Sequence, residues 1–193
     1  MKKVLFIVIL GLFFTGCSSK YMTTIQNQET QISQDESAII FFRPSIFGGA
    51  IMAPIAEYDD NKLKFVGILS GNSKIFYKTT SGIHHFVVGG ESSELLEANL
   101  DAGKTYYVAV RPSMGFAKAR FKFYPIGDGA PSIESAEFKK EIEGCSWLAN
   151  TPDSEKWFHD NMQDIQKKYD SALKKHNDAD ESDKKIVKPE YGI

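Results

Sequence analysis

Residues 94–124 read ELLEANLDAGKTYYVAVRPSMGFAKARFKFY, and their pattern decides the fold class. Leu96, Ala98 and Leu100 alternate with Glu97 and Asn99, the two-residue period of a strand buried on one face. Asp101-Ala102-Gly103 is a turn signal, and the following run, 105–111, is dense in aromatic and β-branched side chains. Pro112 withdraws a ladder donor and closes that run. Beyond it Ala119, Phe121 and Phe123 share one face, with Lys118, Arg120, Lys122 and Tyr124 on the other. The connections are too short to hold a crossover helix, so the stretch predicts antiparallel strands.

The same grammar extends upstream. Runs at 38–43, 51–58, 63–69, 73–79 and 84–88 are separated by Asp59-Asp60-Asn61, Gly71-Asn72, Ser81-Gly82 and Gly89-Gly90. Short strands at this spacing predict an antiparallel β-sandwich of immunoglobulin or transthyretin-like type over residues 38–126. Ile39 and Phe41 share one face of the first strand and Ile40 and Phe42 the other, so this strand is expected to lie beneath a cover. The expected cover is a C-terminal amphipathic helix, 151–176. Thr151 or Asp153 can cap it, Pro152 suits its first turn, and Phe158, Met162, Ile165, Tyr169 and Leu173 form one stripe. Such a stripe docks on its own domain, or serves a partner groove or homo-oligomer seam. Residues 127–150 read as a connecting segment. Residues 177–193, opening NDADESDKK, read as a polar tail.

The first sixteen residues have the layout of a secretory signal. Lys2 and Lys3 precede the uncharged run 4–14, which as a helix reaches about 16 Å, half a bilayer core. The ending Thr15-Gly16-Cys17 resembles the lipobox of bacterial lipoproteins. That resemblance implies acylation of Cys17 with fatty chains such as palmitate, cleavage before it, and anchoring without a membrane-spanning helix. Ser18 and Ser19, in place of Asp, imply the outer membrane, with the domain facing the periplasm. Residues 17–37 then read as the lipidated Cys and a flexible tether.

Without Lys2 and Lys3 the chain has 21 basic residues against 25 acidic ones, which argues against a nucleic-acid partner. The other cysteine, Cys145, has no intramolecular partner if Cys17 is acylated; it is expected to be buried beside Trp147 and Leu148, or else to pair between molecules.

No metal, cofactor or catalytic residue is expected. His84 and His85 are adjacent on a strand and point to opposite faces; His159 has only Glu155 one turn away; His176 lies at the helix end. Gly48-Gly49 and Gly89-Gly90 lack the following helix of a phosphate loop and read as turns. Lys118, Arg120 and Lys122 can meet an anionic group or protect a sheet edge. Arg43-Pro44-Ser45-Ile46-Phe47-Gly48 and Arg111-Pro112-Ser113-Met114-Gly115-Phe116 form a near-repeat. If their strands run parallel, Arg43, Phe47, Arg111, Met114 and Phe116 form a rim at one end of the sandwich, for recognition or as a plug.

SAIIFFRPSIFGGA (37–50), DAGKTYYVAVRPSMGFAKARFKFYPI (101–126) and the lipobox together resemble the bacterial lipoprotein family catalogued as domain of unknown function 2846. The resemblance covers residues 38–124 and implies fold and location, not activity. The expected function is a non-catalytic binding or structural module bound to the membrane through its N-terminal lipid, with an envelope protein or polymer as partner. The alternatives are an envelope hydrolase using Glu57, Asp59 or Asp60, and a homo-oligomeric scaffold built on 151–176.

Overall fold

The computed structural model describes residues 21–45, 49, 51–59, 61–114, 119–127 and 132–193. In chain order the elements are β1 (Met22–Ile25), β2 (Glu36–Arg43), β3 (Ala53–Asp59), β4 (Lys62–Leu69), β5 (Ser73–Thr80), β6 (Gly82–Val88), β7 (Glu94–Leu100), β8 (Thr105–Met114), β9 (Ala119–Pro125), α1 (Ala136–Glu143), β10 (Ser146–Asn150), α2 (Pro152–Asp178), β11 (Ile186–Val187) and a 3-10 turn, Pro189–Tyr191. The chain is mostly β. Sheet A runs β1-β10-β5-β2-β8-β9 and sheet B runs β11-β7-β6-β3-β4.

Each of the eight expected runs is a strand. Their inward residues, among them Ile39, Phe41, Ile55, Phe86, Leu96, Val108 and Phe123, form the core between the sheets. Apolar side chains at alternate positions of both sheets can leave water only by facing each other, which fixes the register.

The purely antiparallel expectation is corrected. β2 pairs parallel with β8, β10 with β5, and β11 with β7. A parallel pair needs a long crossover; between β2 and β8 the crossover is made of β3, β4, β6 and β7 in the other sheet together with β5, so no helix is required. β8 also continues through Pro112 to Met114. Its described pairing with β2 ends at Phe42–Ala109, so this part of β8 is paired with β9 alone, the setting in which a strand tolerates proline.

The cover of β2 is likewise not the C-terminal helix. Phe42 and Ala109 pack under α1, against Phe138 and Cys145. This eight-residue helix inside 127–150 is capped by Ser135, whose side chain accepts from Phe138 N at 3.1 Å. α2 instead covers sheet B. Phe158, Ile165, Tyr169 and Ala172 bury against Ala56, Leu63, Val87 and Leu95, with Tyr58 stacked on Tyr169 at 4.1 Å and Phe65 on Phe158 at 4.9 Å. The apolar stripe is thus spent on the chain's own sheet. Thr151 and Ser154 close a reciprocal capping box at the start of α2.

Two further differences lie at the ends. Met22–Ile25, within the expected tether, pairs with β10; Ile186–Val187, within the expected tail, pairs with β7. In β4 the register shifts opposite Ile55/Ala56, and Gly67 there has φ +152. A Cβ on Gly67 would lie 2.7 Å from Ile75 Cδ1 and 3.1 Å from Asn150 Oδ1. Gly67→Ala is expected to cost about 2 kcal/mol, read as a lower urea midpoint with an unchanged slope.

Candidate functional site

The parallel pairing of β2 and β8 brings Arg43 and Arg111 to the same end of sheet A. They do not form a rim. Arg43 is fully buried: Nη1 donates to the Ile51 carbonyl at 2.7 Å and the guanidinium lies 4.9 Å from the Phe121 ring centroid. Burial lowers its pKa, and its place is the core rather than a binding surface. Arg111 is half-buried and donates through Nη2 to Glu141 Oε2 at 2.8 Å, tying β8 to α1. Phe47, Phe116, Lys118 and Cys17 lie outside the described residues, as does the Met114 side chain.

Arg120 and Lys122 are exposed on β9, an edge strand of sheet A. Arg120 holds Glu91 with Nη2 at 2.9 Å. Lys122 and Lys185 act on the carboxyl of Glu94, which burial raises above the usual range while the Phe123 N–H, 2.5 Å away, pulls it back. A hollow of about 280 Å³ here is lined by Lys175, Lys184 and Lys185 as well. Because Glu94 and Asp183 also line it, the hollow already contains carboxylates that partly compensate its bases.

Of the three acids considered for hydrolysis, the two that are described differ in setting. Asp59 pairs with Lys64 at the exposed β3–β4 turn, and Asp60 lies outside the described residues. Glu57 is buried between the sheets. Its Oε2 accepts from the Tyr77 hydroxyl at 2.6 Å; its Oε1 accepts from Thr79 Oγ1 at 3.1 Å and His84 Nδ1 at 2.7 Å. His84 Nε2 donates to the Thr80 carbonyl at 2.9 Å. Both ring nitrogens therefore face acceptors, which favours the imidazolium. Burial opposes both charges, yet the hydrogen bonds prevail: Glu57 is held below its usual pKa and His84 above. Both carboxylate oxygens and both ring nitrogens are engaged within this cluster, so it is built to hold the sheets together.

Cys145 is buried, against Phe42 and Phe138 rather than Trp147 and Leu148, with Sγ donating to the Glu141 carbonyl at 3.2 Å. Burial pushes its thiol up to about 11. At pH 8 its alkylation by iodoacetamide is expected to be roughly a hundredfold slower in the native protein than in urea. Native labelling at the unfolded rate would contradict this burial.

Among the described residues, a groove of about 320 Å³ lies between α2 and sheet B. Trp157, Phe158 and Ile165 form its helical wall; Pro54, Ala56 and Val87 form its sheet wall; Met52, Gly89 and Gly90 close one end. Glu91, Asn161, Asp164 and Lys168 supply its polar groups, Lys168 Nζ holding Asp164 at 2.8 Å. An apolar hollow of this size with a few polar groups is the usual form of a small-ligand site. The groove was missed from sequence because its walls come from segments roughly seventy to a hundred residues apart, and each wall residue reads as ordinary core. No family model, curated protein or solved structure matches the chain.

Proposed function

We propose that this is a lipid-anchored protein of the bacterial outer membrane, facing the periplasm, whose two-sheet head is a non-catalytic binding module for a hydrocarbon group. The groove against α2 carries this reading: its walls are aliphatic and aromatic, and its volume suits one small apolar ligand. The anchor is supported by the basic start, the short apolar run and Cys17, and by the resemblance to the lipoprotein family catalogued as domain of unknown function 2846. A non-catalytic head is supported by the engagement of Glu57 and His84 within the core. We read the head as a sandwich of immunoglobulin or transthyretin-like type, a reading supported by its two facing sheets with the core between them.

Two measurements test the reading. The intact mass of protein from the bacterial envelope is expected to show a chain starting at an acylated Cys17; an unmodified Met1 start in the soluble fraction overturns the anchor. The apolar dye 1-N-phenylnaphthylamine is expected to bind Cys17→Ser protein at one site, with affinity reduced at least tenfold by Asn161→Phe, which fills the groove from its helical wall. Equal binding by the two proteins overturns the groove as the ligand site.

A further inference from the structure

The described chain begins beside the groove. Thr151 at the α2 cap donates through Oγ1 to the Tyr21 carbonyl at 2.9 Å, and the Tyr21 ring centroid lies 6.1 Å from that of Trp157, a wall residue. Cys17 stands four residues before Tyr21, a reach of at most about 14 Å. The helical wall from Trp157 to Lys168 is about 16 Å long, and one leaflet of membrane hydrocarbon is about 15 Å deep. The groove's 320 Å³ gives room for one acyl chain and not for the two or more that stable anchoring needs. Lys168 is already paired with Asp164, and Glu91 with Arg120, so the charges at the described lining are matched and do not draw in the carboxylate of a free fatty acid.

We infer that the groove holds one acyl chain of the lipid carried by Cys17 of the same molecule, the other chains staying in the bilayer. The inference rests on the proposed acylation of Cys17 and on the groove as a hydrocarbon site. It holds the α2 N-terminus and β1 against the membrane, and any other apolar ligand must displace the resident chain.

The test uses the full chain with Trp147→Phe, which leaves Trp157 as the only tryptophan. The acylated protein is placed in vesicles of phosphatidylethanolamine and phosphatidylglycerol and compared with its Cys17→Ser form in solution. Trp157 of the acylated protein is expected to be at least threefold less quenched by acrylamide. Bromine on the vesicle phospholipids should leave it unquenched, because the covering chain belongs to the protein. Equal acrylamide quenching overturns the inference, as does protection accompanied by strong bromine quenching, which would mean that bilayer lipid covers the groove. An intact mass lacking acyl groups defeats the anchor itself, and is read before any fluorescence.

Discussion

Glu57→Ala is expected to lower the free energy of unfolding by about 3–5 kcal/mol, because it leaves a buried cation and two half-buried hydroxyls without their acceptor. His84 Nδ1, Tyr77 and Thr79 all converge on this one carboxylate, whose residue is 1% exposed. Glu57→Leu combined with His84→Leu is expected to cost less than Glu57→Ala alone, since removing both charges leaves no unpaired ion. Tyr77→Phe removes one hydrogen bond to a charged acceptor, about 1.5–3 kcal/mol. The pH dependence has a definite sign. Glu57, held below its usual 4.5, stabilises the fold above that value, and this contribution is lost as pH falls through its folded pKa. His84, held above its usual 6.5, stabilises fully below that value, and this contribution is lost as pH rises through its folded pKa. Both are complete between about pH 4.5 and 6.5. The difference in urea midpoint between wild type and His84→Asn, measured from pH 4 to 9, should therefore be largest in that window and shrink on the alkaline side, a comparison that sets aside the opposing slope of His85, which burial holds below its usual value. A difference that stays constant from pH 5 to 9 would sink the assignment.

This cluster marks where the sequence stops being readable. Ile55 and Phe86 announce themselves as core, and the period of two places Glu57 and His84 on the same inward faces. That signal was present. It was masked by the neighbouring Asp59-Asp60-Asn61, which makes Glu57 look like part of a solvated turn. The partner on β5 is twenty residues away, and only the packing of sheet A on sheet B brings Tyr77 to Glu57. The eight longer strands were legible because each carries several alternations, and α2 because its stripe repeats through four steps. β1, β10 and β11 hold four, five and two residues, too few for a period to show, and they pair because neighbouring sheet edges need partners. Arg43 was misplaced for a different reason. An arginine that ends a strand just before a proline reads as part of a rim at the sandwich end, and nothing local reveals that Ile51 and Phe121 enclose it.

Ending the chain after Lys185 gives the second large effect, where a polar, disordered tail would give none. Val187 is 1% exposed and sits in the core between the sheets, and burying it is worth about 1.5–3 kcal/mol. Past it, the Pro189 carbonyl accepts from Lys104 Nζ at 3.1 Å and the Tyr106 hydroxyl at 3.2 Å. Ile193 and Thr105 exchange both backbone bonds, at 2.8 and 3.1 Å. Each such bond contributes about 0.5–1.5 kcal/mol, and Tyr106, fully buried in the intact chain, would meet water. The loss is expected to be roughly 4–6 kcal/mol, a fall in Tm of about 10 °C or more. It also bares the outer edge of β7, so the truncated chain should self-associate in sedimentation where the full chain does not. Should truncation abolish folding, Val187→Ala reports the same contact at a smaller cost, about 1–2 kcal/mol. A truncated protein that melts within about 2 °C of the full chain would mean that β11 and the following turn are ornaments on sheet B rather than part of its core.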